Sequence, residues 1–325
     1  MSLLEVDDLH VWFGLPHGGS VHAAAGVSFA LDAGERFGLV GESGCGKTTT
    51  ILALMGLLPP NADVAGDVRV DGRSILAGGE DSVRRHRWKD IAMVFQGAMN
   101  ALNPVQKVGR QIAEPMAFHG IASGAAARKR AGELLELVGI PAAAGERYPH
   151  EFSGGMRQRA AIAMALACQP KVLLADEPTT ALDVMVQAQI LELLIRLSDE
   201  LGLALVLVTH DLPVVAQVCE RAAVMYAGEI IEAGPVEALY HAPRHPYTRL
   251  LFAATPDLYG DEEVVSIPGA PPRLDVGITG CPFRPRCDSA VERCVSVHPV
   301  LRLAGPGHQA ACHLADLAET TGGTS

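Results

Sequence analysis

The 325-residue chain is short of basic charge: 26 Lys+Arg stand against 37 Asp+Glu, a formal net charge of −11. A bulk nucleic-acid surface needs the opposite balance, because its affinity comes from cations that displace counterions. No nucleic-acid partner is therefore expected, although a single anion could still bind in a local pocket. Long apolar runs are also missing. Stretches such as 203–208 fall far short of the ~20 residues needed to cross a bilayer. The opening MSLLEVDDLHVWF has no basic stretch followed by an apolar one, so no signal peptide is expected. Seven cysteines, an odd number in a long chain, do not suit a secreted disulfide framework. No repeat of solenoid or propeller spacing is visible. These absences predict a cytoplasmic chain.

What is present is core-forming material. Hydrophobic residues make up 49% and charged residues only 19%, a balance that disordered chains do not show. Runs at 27–31, 36–40, 172–175 and 203–208 read as strands. Residues 48–58 (stopped by Pro59-Pro60) and 184–201 read as helices. From Gly97 to about Gly145 the β-branched runs vanish and helical spacing takes over, best seen at 125–138, which predicts a helical insertion. Strands alternating with helices imply a mainly parallel sheet and an α/β fold. Beyond Pro235 proline and glycine rise, an acidic patch begins at Asp261, and residues after Thr320 are low in complexity. A domain boundary is expected near residue 240.

Gly41-Glu-Ser-Gly-Cys-Gly-Lys-Thr48 satisfies every defined position of the phosphate-binding loop G-x-x-x-x-G-K-[ST]. Glycines let consecutive backbone N–H groups curve around a polyphosphate. The following helix adds its positive end, Lys47 reaches the β- and γ-phosphates, and the Thr48 hydroxyl can ligate Mg²⁺. Gly41, Ser43, Gly44, Gly46, Lys47, Thr48 and Thr49 are the candidate ATP contacts. Val-Leu-Leu-Ala-Asp176-Glu177 reads as a buried strand delivering Asp176 to the metal shell, with Glu177 placed to polarise an attacking water. Ser153-Gly154-Gly155, opening an alanine-rich helix (159–167), forms a second anion site from hydroxyl, bare N–H groups and helix dipole.

Taken in order, these marks resemble the ATP-binding-cassette (ABC) ATPases, P-loop NTPases with an antiparallel β subdomain and a helical signature subdomain. Gln96 resembles the Q-loop glutamine, Thr179-Thr-Ala-Leu-Asp183 the D-loop, and His210 the switch histidine. Phe13 is the candidate for stacking on adenine, with His22 second. Tyr148-Pro-His-Glu-Phe-Ser-Gly-Gly-Met-Arg-Gln-Arg, Leu102-Asn-Pro, His245-Pro-Tyr-Thr and Gly280-Cys-Pro-Phe-Arg-Pro-Arg-Cys287 further resemble the D-type ATPase of oligopeptide/dipeptide importers. One departure is Gly97-Ala98 after Gln96, where the family usually has an acidic residue and proline. The resemblance implies a nucleotide-binding domain at 1–238, with its helical subdomain at about 97–168, and a small irregular Cys-rich extension at 239–325. It also implies ATP and Mg²⁺ (held by Thr48, Gln96 and Asp176), and catalytic roles for Lys47, Gln96, Glu177 and His210. Implied partners are two integral-membrane permease subunits, an F-type ATPase pairing head-to-tail so that Ser153, Gly154, Gly155 and Asp183 complete the partner's site, and indirectly an extracytoplasmic peptide-binding protein. The chain would sit on the cytoplasmic face of the cell membrane.

Cys281, Cys287, Cys294 and Cys312 crowd the C-terminal end. A disulfide pair is disfavoured in a reducing compartment. Four thiolates suit zinc, although the usual C-x₂₋₄-C knuckle is absent, or an iron–sulfur cluster, and unligated core cysteines stay open. The family resemblance points to 4Fe–4S, with zinc second; His313 is a possible substitute ligand. The basic run Arg84-Arg-His-Arg-Trp-Lys89 is expected to be a solvated helical face, Cys45 a plain small residue, and His245-Pro-Tyr a packing element. Within transport, nickel or another small solute is the competing cargo; a non-transport ABC ATPase or a P-loop kinase fits the motifs less well.

Overall fold

The computed structural model describes residues 2–97, 101–254 and 267–315. Ala98, the acidic patch at Asp261 and the segment after Thr320 lie outside them. In chain order the elements are β1 (Leu4–Gly14), β2 (Ser20–Leu31), β3 (Arg36–Val40), α1 (Lys47–Leu54), β4 (Ala62–Val70), β5 (Arg73–Ser74), α2 (Gly79–His86) and β6 (Ile91–Val94). Next come α3 (Val108–Phe118), α4 (Gly124–Leu137), α5 (Gly154–Ala165), β7 (Val172–Asp176), α6 (Val184–Leu201), β8 (Ala204–Thr209) and α7 (Leu212–Val218). The chain continues with β9 (Arg221–Tyr226), β10 (Glu229–Pro235), α8 (Val236–His241), α9 (Pro246–Ala253), α10 (Arg293–Ser296), β11 (Arg302–Gly305) and β12 (His308–Ala310). No helix among the described residues is long and apolar enough to cross a membrane.

The strands form two sheets. One is antiparallel, in the order β2-β1-β4-β5; the other has the order β11-β12-β10-β9-β3-β8-β7-β6 and is parallel from β9 through β6. Both faces of β7 and β8 are covered, which is why their sequences are continuous apolar runs rather than alternating ones. Leu173, Ala175, Leu205 and Leu207 pack toward the helical side, while Val172, Leu174, Val206 and Val208 pack toward α1 and the antiparallel sheet. The expected α/β fold and its antiparallel and helical subdomains are present. Helix α6 begins where Asp183 accepts from the Val186 N–H (2.9 Å) and ends at Gly202, whose φ of 62° suits a residue without a Cβ.

The basic run 84–89 departs from the expected solvated face. Arg84 does lie over the exposed Phe118 ring. Arg87, however, is turned inward, its guanidinium donating to the Met55 and Gly56 carbonyls just after α1 (2.7 and 2.6 Å) and pairing with Glu80. Those carbonyls are among the orphan acceptors a helix leaves at its C-terminal end. Trp88 donates its indole N–H to the Met164 carbonyl (3.0 Å), joining this segment to α5.

Across the boundary expected at 238/239 the core is continuous. β12 pairs with β10 (Glu232 opposite Ala310), so the C-terminal stretch adds two strands to the main sheet. Tyr247 and Phe283 are fully buried and pack with Tyr226, at ring separations of 4.7 and 5.3 Å. The Glu232 carboxylate, also fully buried, accepts from the Arg244 and His245 backbone N–H groups and meets His308 Nε2 at 2.7 Å. A buried carboxylate with its acceptor sites filled this way ties three segments together. Phe283→Ala should cost about 3–5 kcal/mol through lost burial and cavity formation. Calorimetry should show one transition shifted down as a whole; a separate, early-melting tail would contradict a shared core.

Candidate functional site

Four parallel strands end side by side, and each is followed by a residue the sequence singles out. Val40 pairs with Thr209, Asp176 with Val208, and Val94 with Ala175. The 41–46 loop, His210, Glu177 and Gln96 therefore emerge together at the C-terminal edge of the sheet, the usual place for ligands in such folds. The loop needs its glycines for two separate reasons. A Cβ on Gly41 would lie 2.3 Å from the Met225 carbonyl oxygen, and one on Gly46 2.3 Å from that of Ala23. Gly44 stands in open space but has φ +81°, a conformation disfavoured for residues with a Cβ. Lys47 is buried, with its ammonium donating to the Gly41 and Glu42 carbonyls (2.7 and 2.9 Å). Ser43, Gly44 and Thr48 are exposed, and Thr49 is half-buried. This cradle of bare backbone and buried cation, at the start of an eight-residue helix, suits a polyphosphate.

Thr48 Oγ1 donates to Asp176 Oδ1 at 3.3 Å, bringing together two of the residues expected to hold Mg²⁺. Burial pushes the Asp176 carboxyl up to about 6, with the neighbouring Glu177 charge adding, while the Thr48 bond and Lys47 oppose the rise. A bound divalent cation would favour the ionised form. Glu177 follows with φ 42°, an uncommon conformation for glutamate, anchored by its N–H to the Val208 carbonyl (2.8 Å). Three groups converge on its carboxylate: His210 Nδ1 at 2.8 Å, the Gln96 amide at 2.8 Å and the Thr180 hydroxyl at 2.9 Å. Burial works against its ionisation, but the His210 and Thr180 bonds and nearby positive charge outweigh it, so its pKa falls below the ordinary range.

The other expected contacts lie apart from this cluster. Ser153 caps α5, accepting from the Met156 N–H (3.3 Å), and remains exposed. Gly155 lets the start of α5 approach α6: a Cβ there would sit 2.7 Å from Val186 Cγ1. Gly154 is the first residue of α5, and Asp183 caps α6. Phe13 packs against the core beneath β1, on the strand face opposite Trp12, which stacks on His22 (4.7 Å) and His10 (5.2 Å). His22, the second adenine candidate, is thus already engaged in a ring stack. Cys45 is buried, and burial raises its thiol against the opposing pull of Lys47, as suits a plain small residue.

The family model for the ABC transporter matches residues 24–180, and that for the oligopeptide/dipeptide transporter C-terminal region matches 231–294. A probable peptide ABC transporter ATP-binding protein of Sinorhizobium fredii is 48% identical over 95% of this chain and 94% of its own. The dipeptide transport ATP-binding protein DppD of Bacillus subtilis is 47% identical, over 97% and 95%. The oligopeptide transport ATP-binding protein OppD of Escherichia coli is 46% identical, over 96% and 93%. This chain belongs to the ATP-binding subunits of the oligopeptide/dipeptide ABC transporters. Among solved structures, the dimeric post-hydrolysis cassette MJ0796 bound to ADP and Pi superposes with a TM-score of 0.63. It has 31% identity and covers 72% of this chain and 98% of its own.

In this peptide-transporter ATPase the expected metal centre finds no support. Cys281, Cys287, Cys294 and Cys312 are close enough to affect one another's titration, but all four are free thiols. No group of three or more His, Cys, Asp or Glu among the described residues could hold a metal ion. Burial raises Cys281 to about 11 and lifts Cys287 and Cys312 as well. Cys281 and Cys287 lie against the main core, and Cys312 against Ala304, Ala310 and Ala315. His313, the possible substitute ligand, has its Nε2 2.9 Å from the Val297 carbonyl oxygen.

Sequence reasoning missed four residues. Thr180 sits inside the D-loop motif without a role of its own there. Glu42 occupies a variable position of the phosphate loop, and its contacts with Tyr247 and Arg286 span 205 and 244 residues. Gly46→Ala, which forces a Cβ onto a carbonyl, should destabilise the chain by at least about 2 kcal/mol, while Gly44→Ala should cost nearer ~1 kcal/mol. Denaturant unfolding of the two variants checks this ordering.

Proposed function

We propose that this ATPase binds MgATP in the 41–49 loop and hydrolyses it at Glu177, coupling the reaction to oligopeptide or dipeptide import. The observation that carries the reading is the convergence of Gln96, Thr180 and His210 on the Glu177 carboxylate, on the strand edge where Lys47, Thr48 and Asp176 meet. The residues present suit a magnesium ion, with Thr48, Asp176 and Gln96 as holders; the ion would neutralise phosphate charge. Phosphoryl transfer asks mainly for positioning and charge stabilisation. Glu177, kept ionised by His210 and Thr180, accepts a hydrogen bond from the attacking water and orients it. Lys47 exchanges its two carbonyl partners for phosphate oxygens, and His210 turns from Glu177 to the γ-phosphate. Gln96 would supply its amide oxygen to the ion.

Completion of the site calls for a second cassette. Ser153, Gly154, Gly155 and Asp183 lie at helix starts outside the Glu177 cluster, and the exposed Ser153 is free to meet another chain's γ-phosphate. Phe13 is the adenine contact. The partners implied are an F-type cassette, two integral-membrane permease subunits and, indirectly, an extracytoplasmic peptide-binding protein. This subunit would sit peripherally on the cytoplasmic face of the membrane.

Glu177→Gln keeps the shape but removes the charge, so hydrolysis by the assembled transporter should fall at least about 100-fold while ATP still binds. Near-normal turnover would refute the assignment. In a strain lacking this chain, defined di- and oligopeptides should no longer be taken up. Restoration by the wild-type chain but not by Glu177→Gln would tie import to this site; uptake unchanged by the deletion would sink the peptide reading.

A further inference from the structure

Arg286 comes from the C-terminal region, from a short 3-10 turn between Cys281 and Cys287, yet its side chain is only 3% exposed. Its two terminal nitrogens donate to both oxygens of Glu42, at 2.7 and 2.9 Å, a bidentate pair that fixes orientation as well as charge. Its Nε donates to the Pro268 carbonyl (2.8 Å), and the guanidinium faces the rings of Tyr226 and Phe283. The same stretch of loop is gripped a second time: the Glu42 backbone N–H donates to the Tyr247 hydroxyl at 2.9 Å. Meanwhile the Glu42 carbonyl is one of the two acceptors of the Lys47 ammonium. Glu42 is thus held by its side chain, its N–H and its carbonyl, within the loop that curves around phosphate.

A carboxylate in that loop is electrostatically wrong for an anionic ligand. Two like charges at short range repel, and more strongly in a partly buried setting than in open water. Arg286 supplies the cancelling charge and draws the carboxylate toward the C-terminal region. We propose that Arg286, with Tyr247, is a positioning residue for the nucleotide: the C-terminal region acts as a clamp on the phosphate loop, neutralising Glu42 and fixing the turn that presents Gly41 and Lys47. The clamp rests on the nucleotide reading of the 41–48 loop. It gives the region that distinguishes these transporters from shorter cassettes a direct hold on ATP affinity.

The test is Arg286→Met in the full-length chain, with the N-methylanthraniloyl derivative of ATP as the binding probe. Leaving Glu42 uncompensated should raise Kd about tenfold. It should raise KM for ATP similarly in the assembled transporter, with kcat within about twofold of wild type. Adding Glu42→Gln to the same chain removes the stranded charge and should recover at least half of the lost affinity on a logarithmic scale. Arg286→Lys, which keeps the charge without the fork and is the gentler change should Arg286→Met fold poorly, should lie in between. Wild-type affinity in either Arg286 variant would overturn the clamp, as would a lower kcat with unmoved KM or no recovery on adding Glu42→Gln. Lys47→Ala separates the two claims. Undiminished binding there would sink the nucleotide reading itself, whereas lost binding there beside unchanged affinity in Arg286→Met sinks only the clamp.

Discussion

Parallel hydrogen bonding among β6, β7, β8 and β3 is the constraint on which the site depends. Each strand is four to six residues long, and all four run in the same direction. Because the pairing is in register, the residues just past each strand come into one row, although they are drawn from positions 41, 96, 177 and 210. A one-residue slip in any of them would turn a core side chain to the wrong face. The apolar packing on both sides of the sheet, from α1 and the antiparallel sheet on one side and the helices on the other, makes such a slip costly.

Along that row, Lys47 and the Glu177 carboxylate are held by protein groups, while Gln96, Thr180 and His210 also face solvent. Lys47 rests on two carbonyls of its own loop, and Glu177 gathers His210, Gln96 and Thr180. Such mutual satisfaction is what allows groups of this kind to be half-buried without a large desolvation penalty. It also means that the same side chains have hydrogen-bonding capacity to redirect when a ligand arrives. The unusual backbone of Glu177 is sustained because its N–H is bonded to β8, so the neighbouring strand over-determines the conformation.

The C-terminal region is joined to the rest of the protein by interactions of two kinds. β11 and β12 extend the main sheet, and Tyr247 and Phe283 enter its core, so removal of water from aromatic surface binds the two parts together. Glu232 and Arg286 then add directional, buried polar links, one to β12 and the 244–245 turn, the other to the phosphate loop.

Much of the machinery was legible in the sequence, because phosphate binding imposes residue types at fixed local spacing. The 41–48 loop, Asp176-Glu177 on its apolar strand and Ser153-Gly154-Gly155 are all short-range patterns, whereas Gln96 and His210 were singled out by the family resemblance. Strand β3 and helix α6 also coincide with their expected limits, since apolar runs and an Asp183 cap are local signals. Long-range pairing is a different kind of fact. Nothing near Arg286 announces Glu42. The basic run at 84–89 looked solvated because its charge is local information, whereas the helix end that Arg87 caps is a tertiary neighbour. By itself the sequence determined the fold class and the chemistry of the nucleotide loop, through backbone periodicity and motif spacing. Only the tertiary structure decided that the C-terminal region shares the core and grips the loop through a buried ion pair, because those outcomes depend on which distant surfaces exclude water together.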